Sequence, residues 1–147
     1  MGPAFNSDGS LPPGIHWLDW PDFVARFGWN NHRLRLLAGL KRALDDLKLA
    51  GCQTVYVDGS FVTKTEIPGD FDACWEMAGV NLHLIGSTPL GNFRNSRAAQ
   101  KTAYGGELFP SASLADQAGH RFLDFFQIDK NTGGPKGIVA LNLRGIP

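Results

Sequence analysis

Two aspartates at the head of an apolar segment constrain this 147-residue chain more than any other feature. Asp70 and Asp72 flank Phe71 at the start of Phe71–Trp75, whose composition predicts a strand. Alternate residues of a strand point to the same face, so both carboxylates project together while Phe71 points into the core. Close carboxylates repel each other unless a cation lies between them. Hard oxygen ligands on a rigid strand suit Mg²⁺, which binds one or two carboxylates together with phosphate oxygens.

A Gly-Ser pair precedes the aspartates. The strand predicted over Gln53–Val57 runs into Gly59 and Ser60, and nine residues separate Ser60 from Asp70. Glycine lets the backbone approach a phosphate closely, and the Ser60 hydroxyl with neighbouring N–H groups could bind the terminal phosphates of a nucleotide. The combination of strand, Gly-Ser and strand-borne Asp-x-Asp therefore predicts a site for nucleotide phosphates and metal. The alternative is that Gly-Ser is an ordinary turn.

Asp124 is the candidate for a third carboxylate. It lies in Arg121–Ile128, an aromatic and apolar run that predicts another strand. An unpaired ionised carboxylate in such a strand would be costly, so we expect Asp124 either to be paired or to bind a cation. With Asp70 and Asp72 it would allow two metal ions about 3.5–4 Å apart, an arrangement suited to in-line attack at phosphorus. The alternative is an aspartate on the open face of the strand.

Several basic side chains are candidate phosphate ligands. Arg94, Arg97 and Lys101 have the three- and four-residue spacing of one helix face, so they could bind a triphosphate or a nucleic-acid backbone. The alternative for this face is ordinary solvation. Lys64, between the two motifs, and Lys136, after a Gly-Gly-Pro turn, could also reach a phosphate, although loop lysines usually bind nothing specific. Among the histidines, His16 and His120 are weak candidates for proton transfer.

The fold class follows from the order of the predicted elements. This order is helix, strand, strand, helix, strand, strand, which predicts an α/β or α+β domain with a mixed β-sheet packed against helices. A short helix between Asp19 and Gly28 comes first. The remaining elements are helices over about 31–50 and 94–104 and strands over 53–57, 71–75, 121–128 and 138–143. Most charges of the long helix, Arg33 among them, are predicted to be solvated. We expect residues 1–10 to be a flexible tail and residues 11–147 to form one domain.

Bulk composition excludes several classes of protein. Hydrophobic residues make up 43% of the chain and the formal net charge is zero, so it can bury a core and has no strong overall field for nucleic acid or membrane. No apolar run approaches the ~20 residues of a membrane helix. Cys52 and Cys74 lack zinc-ligand spacing and suit a reducing cytoplasm.

The segment Val55–Trp75 (VYVDGSFVTKTEIPGDFDACW) resembles the signature of the DNA polymerase β-like nucleotidyltransferase superfamily, a Gly-Ser after one strand and an Asp-x-Asp on the next. The stretches LPPGIHW, KTAYGGELFP and FLDFFQIDKNTGGPKGIVALNL extend the resemblance, over nearly the whole chain, to small bacterial nucleotidyltransferase-like proteins. This resemblance implies a minimal nucleotidyltransferase fold. It also implies that Gly59 and Ser60 bind nucleotide phosphates, that Asp70 and Asp72 hold Mg²⁺, and that Asp124 is the third carboxylate.

The sequence thus predicts an Mg²⁺-dependent nucleotidyltransferase that uses one or two ions and a nucleoside triphosphate (NTP). The acceptor would be a hydroxyl of a protein or an RNA, and Lys64, Arg97 and Lys101 would assist Gly59 and Ser60 in binding the nucleotide. The alternative is a non-catalytic module of the same fold that binds a nucleotide or a protein, such as a component of a toxin–antitoxin pair. A partner protein or a second copy of the chain is expected, and a membrane is not.

Overall fold

A computed structural model describes residues 2–147 of the chain. It contains helices and strands in mixed order. The helices are α1 (Trp20–Phe27), α2 (Asn31–Leu49), α3 (Leu82–Gly86), α4 (Arg94–Tyr104) and α5 (Phe122–Phe125). The strands are β1 (Gly14–Leu18), β2 (Thr54–Asp58), β3 (Phe71–Trp75), β4 (Gly106–Pro110) and β5 (Gly137–Asn142).

The strands form one five-stranded sheet in the order β1-β5-β2-β3-β4. Strand β5 runs parallel to β1 and antiparallel to β2. Strand β3 runs antiparallel to β2 and parallel to β4. The sheet is therefore mixed, and together with the helices it confirms the predicted α+β class.

The two faces of the sheet have different environments because successive side chains alternate between them. On the first face, residues such as Val57, Ala73 and Val139 join the main core with the apolar stripe of α2. On the second face, Tyr56 and Ala140 pack in a smaller cluster of aromatic residues around α5. The second face is covered only by this cluster, and its acidic end is open.

The structure confirms several predicted helices and strands, together with the residues that cap the first two helices. Helix α1 is capped by the Asp19 side chain, which accepts a hydrogen bond from the Asp22 N–H, and helix α2 is capped by Asn30. Strands β2, β3 and β5 and helix α4 lie where the pattern predicted them. Strands β1 and β4 were not predicted; both are edge strands that begin with a glycine, and β4 ends with Pro110.

The prediction of a strand over Arg121–Ile128 is wrong. Its central residues form the short helix α5, where the Phe125 and Phe126 N–H groups donate to the carbonyls four residues earlier. The same run of aromatic residues is compatible with either structure, and packing decides between them. Phe122 stacks on Phe109 of β4, with ring centroids 4.1 Å apart. This contact covers the second face of the sheet with a helical turn.

Arg33 of α2 is fully buried, so the predicted solvation of this charge is wrong. Its guanidinium donates to four backbone carbonyls, one at the end of α1 and three in the loop after Gly59-Ser60; they belong to Phe27, Phe61, Thr63 and Thr65. The ring of Trp29 lies 3.7 Å from its central carbon. Arg33 therefore fastens the loop between Ser60 and Asp70 to the helix layer.

Residues 2–10 lie against the domain. The Phe5 ring packs on that of Phe27 with centroids 6.2 Å apart, Arg26 donates to the Pro3 carbonyl, and the Lys64 N–H donates to the Gly9 carbonyl. Across residues 2–147 no helix has the length and apolar character needed to cross a membrane.

The Arg33 contacts predict a large loss of stability on substitution. Arg33→Leu should lower the free energy of unfolding by about 3–5 kcal/mol, because two buried and two partly buried carbonyls lose their donor. Urea denaturation measures this, with Arg35→Leu on the exposed side of the same helix as the control, expected to change stability by less than ~0.5 kcal/mol. Equal stability of the two variants would contradict this role for Arg33.

Candidate active site

Carboxylates from three neighbouring strands form a row on the second face of the sheet. Asp58, the last residue of β2, is paired with Asp72 of β3, and Asp72 is paired in turn with Glu107 of β4. Paired residues of adjacent strands place their side chains on the same face. Asp70 lies two residues before Asp72, just ahead of the strand, and lines the same cleft. The predicted pair of Asp70 and Asp72 is therefore part of a larger acidic group that includes Asp58 and Glu107.

This row lies at the centre of a cleft with two halves. The aromatic half, of about 490 Å³, contains Glu107 and is walled by Phe109, Phe122, Phe125, Phe126 and Ile128. The polar half, of about 480 Å³, is walled by Gly59, Ser60, Thr63, Asn131 and Gly137. Both halves are lined by Asp58, Asp70, Asp72, Lys130 and Lys136. The carboxylates thus lie between a surface rich in backbone and hydroxyl groups and a surface of aromatic rings.

Gly59 is required by the position of Asp72. Its φ of +87° is in a region that L side chains rarely adopt, and a Cβ at this position would lie 2.9 Å from Asp72 Oδ2. The next residue, Ser60, is exposed in the polar half of the cleft. The Gly-Ser and Asp-x-Asp motifs, separated in sequence, therefore meet in the structure.

The crowding of acids changes their protonation. Burial, with the nearby charges of Asp70, Asp58 and Glu107, raises the pKa of Asp72 to about 7. Burial also raises the pKa values of Asp70 and Asp58 above their usual range. The positive charge of Lys130 opposes the shift at all three aspartates. The cleft therefore concentrates negative charge that its own lysines only partly compensate.

Two of the acids are held by basic side chains. Glu107 accepts a hydrogen bond from Arg97 Nε at 2.9 Å and lies 3.2 Å from Lys101 Nζ. Asp58 lies 3.0 Å from Lys136 Nζ. Among residues 2–147, no three or more side chains of histidine, cysteine, aspartate or glutamate are grouped so that they could hold a metal ion.

The predicted basic face of α4 is modified by its backbone. Asn95, Ser96 and Arg97 have φ values of 51°, 55° and 61°, so the first turn of α4 is left-handed. This conformation costs roughly 1–2 kcal/mol per residue. Arg97 and Lys101 nevertheless converge, because both bind Glu107. They adjoin the cleft through this carboxylate, and their contact with a nucleotide stays a prediction.

Asp124 and Lys64 are not brought to the cleft. Asp124 is exposed on α5, and it lines neither half. Its predicted place beside Asp70 and Asp72 is therefore corrected, because it depended on a strand that is a helix. Lys64 is exposed, lines neither half, and has its ammonium 5.9 Å from the Phe5 ring centroid.

Glu107 and Asp58 were not among the predicted site residues. Glu107 follows the pair Gly105-Gly106 and precedes an apolar residue, Leu108, a pattern that could have indicated a carboxylate at the start of a strand. His120 lines the aromatic half, and its Nδ1 lies 2.6 Å from Asp116 Oδ2. His16 is used differently, since its Nε2 lies 2.7 Å from the Pro12 carbonyl oxygen.

Comparison with known proteins identifies the family. Residues 3–142 match the profile of a family of unknown function, DUF6932, so the chain belongs to this family. No curated protein and no solved structure matches the chain.

The raised pKa of Asp72 predicts the pH dependence of stability. A carboxyl whose pKa is about 7 in the folded state and 3.8 when unfolded binds its proton more tightly when folded. Unfolding free energy should therefore fall as the pH rises from about 4 to about 7. Without divalent cations, Asp72→Asn should be more stable than the original chain at pH 8 by ~1–2 kcal/mol, and the difference should disappear near pH 4.

Urea denaturation between pH 4 and pH 8 tests this prediction. Asp45→Asn on α2, outside the cleft, is the control and should show no such difference between low and high pH. A difference between Asp72→Asn and the original chain that does not change with pH would contradict the predicted proton binding.

Proposed function

We propose that this chain is a metal-dependent nucleotidyltransferase that moves a nucleotidyl group from an NTP to a hydroxyl of a protein or RNA acceptor. One observation carries the proposal: the Gly59-Ser60 turn lies against the carboxylate of Asp72, within a cleft that Asp70 also lines. Phosphate-binding groups and metal-binding groups are thereby adjacent, as phosphoryl chemistry with a divalent cation requires. The resemblance of Val55–Trp75 to the nucleotidyltransferase signature supports the same reaction.

The residues of the cleft fit a hard cation such as Mg²⁺. Asp70 and Asp72 offer carboxylate oxygens at one site, and Mg²⁺ binds one or two carboxylates while phosphate oxygens supply further ligands. Burial and, after it, the negative charges of Asp70, Asp58 and Glu107 raise the pKa of Asp72, and a divalent cation would compensate for those charges. When bound, the ion would neutralise the charge that develops on the phosphates.

The chain's own groups suit the remaining steps. The Ser60 hydroxyl would donate to a phosphate oxygen in the polar half. The acceptor hydroxyl would attack the α-phosphorus, the bond to the leaving pyrophosphate would break, and the hydroxyl proton would pass to a base. Asp116 orients the ring of His120 through a 2.6 Å contact at Nδ1, so its other nitrogen could accept that proton. Glu107 replaces Asp124 as the further carboxylate of the site.

We also propose where the acceptor enters the cleft and in which cellular compartment the reaction takes place. The acceptor would enter through the aromatic half, presented by a partner protein, a second copy of the chain or an RNA. A toxin–antitoxin pair is one setting in which a small transferase modifies a partner. We place the protein in the reducing cytoplasm, because Cys52 and Cys74 are free and buried.

Labelled NTPs test the proposal. With Mg²⁺ and cell lysate, addition of the chain should transfer label from the α-phosphate to a protein or RNA, while the β- and γ-phosphates leave together as pyrophosphate, so that this added transfer carries no γ-label. Asp70→Asn/Asp72→Asn should lower the transfer at least about 100-fold, because both metal-binding carboxylates are lost. Failure of α-label transfer, or equal transfer by the double variant, would contradict the proposal.

Single variants in the same assay separate Glu107 from Asp124. Glu107→Gln should lower the rate at least about tenfold more than Asp124→Asn does, because Glu107 alone of the two lines the cleft. Asp45→Asn controls for general effects of removing an acid, since it lies on α2 outside the cleft. The reverse order of Glu107→Gln and Asp124→Asn would restore the assignment predicted from the sequence.

A second candidate is a non-catalytic module that binds a nucleotide. The observation that favours it is the pairing of Glu107 with Arg97 and Lys101 and of Asp58 with Lys136, which occupies two of the four acids. Calorimetric titration of NTPs with and without Mg²⁺ distinguishes the two candidates. Tight, metal-insensitive binding without α-label transfer supports the module, and metal-dependent transfer supports the enzyme.

A further inference from the structure

Lys136 forms an unusually enclosed ion pair within the cleft. Its ammonium lies 3.0 Å and 3.2 Å from the two carboxylate oxygens of Asp58. The side chain of Lys136 is 20% exposed and that of Asp58 is 8% exposed. By contrast, the Lys41–Asp45 pair on α2 has exposures of 27% and 49%. The Asp58–Lys136 pair is thus the more strongly desolvated of the two.

The position of Lys136 is fixed by the backbone. Its N–H donates to the Gln127 carbonyl at 2.8 Å, and the next residue, Gly137, begins β5. From this anchored position Lys136 lines both halves of the cleft. Its ammonium therefore lies on the boundary between the wall of Gly59 and Ser60 and the aromatic wall.

An ion pair of this kind contributes little to stability by itself. The attraction between two desolvated charges is largely offset by the loss of their hydration, so an apolar pair often stabilises a fold equally well. A lysine at this place instead offers a cation to any anion that enters the cleft. In the structure, the Asp58 carboxylate is paired with that ammonium group.

We propose that Lys136 binds the polyphosphate chain of the nucleotide and that Asp58 is an internal anion which the polyphosphate displaces. This inference rests on the proposed function, whose site it deepens. Phosphate oxygens carry more charge than one carboxylate and accept strong hydrogen bonds from an ammonium group. The exchange replaces one anion at Lys136 by another.

The exchange has a consequence for the cation. Once released, the Asp58 carboxylate remains opposite Asp72 with its negative charge no longer paired. A divalent cation in the cleft would compensate for that charge. Binding of polyphosphate through Lys136 should therefore be strong with Mg²⁺ and weak without it.

Calorimetry with inorganic tripolyphosphate tests the exchange without requiring turnover or knowledge of the base. In the presence of Mg²⁺, Lys136→Met should weaken binding by about tenfold or more, because one charged donor is lost. Asp58→Asn should strengthen binding severalfold, since the internal competitor is removed. Lys41→Met removes a paired lysine outside the cleft and should leave the affinity within about twofold.

The double variant Asp58→Asn/Lys136→Met guards against misfolding, because it removes both charges of the pair, and it should bind as weakly as Lys136→Met. Unchanged affinity in Lys136→Met, weaker binding in Asp58→Asn, or no binding of tripolyphosphate by the original chain would each overturn the exchange. If α-label transfer persists in any of these cases, only this inference fails. If transfer is absent as well, the proposed function also fails.

Discussion

The electrostatic repulsion among four carboxylates governs the whole cleft. Asp58, Asp72 and Glu107 are cross-strand neighbours, and Asp70 adjoins them. Such a group is tolerated only if cations, protons or bound ligands reduce its charge. In the structure Lys136, Arg97 and Lys101 supply cations, and burial with the neighbouring negative charges raises the pKa of Asp72, which favours its protonated form. A divalent cation with its phosphate ligands would do the same with greater charge, which links stability to binding.

The helix layer keeps this acidic group in place. The buried guanidinium of Arg33 ties the loop after Ser60 to α2 by donating to the carbonyls of Phe61, Thr63 and Thr65. Without this contact, the loop between Gly59 and Asp70 would have to find other donors for its backbone. The main core on one face of the sheet therefore supplies stability, and the thinner aromatic cover of the other face leaves the site open. The cost of crowding charges is met by packing elsewhere in the fold.

The sequence was sufficient for the parts of the fold that depend on local pattern. The stripe of α2, its Asn30 cap and the strands on either side of Gly59 all have local signals, and the structure confirms them. The sequence was insufficient where the structure of a segment depends on contacts with residues that are distant along the chain. The aromatic run around Asp124 forms a helix because Phe122 stacks on Phe109 of a distant strand.

The residues of the candidate site also fall into those that a local pattern predicts and those that depend on distant contacts. The nearness of Gly59 to Asp72 could be predicted, since both motifs end or begin adjacent strands. A local pattern marks Glu107 as a strand residue, but its place beside Asp72 depends on the pairing of β4 with β3, which no local pattern specifies. Arg33 was misassigned because composition alone does not distinguish a solvated arginine from one that binds buried carbonyls.

The most direct measurement is a crystal structure of the chain with Mn²⁺ and a non-hydrolysable NTP analogue, with anomalous scattering used to locate the metal. We expect an anomalous peak about 2–2.5 Å from carboxylate oxygens of both Asp70 and Asp72, the range of distances between hard cations and oxygen ligands. The phosphates should lie between this peak and Ser60. A peak elsewhere, or a cleft without metal and nucleotide at saturating concentrations, would contradict the central claim.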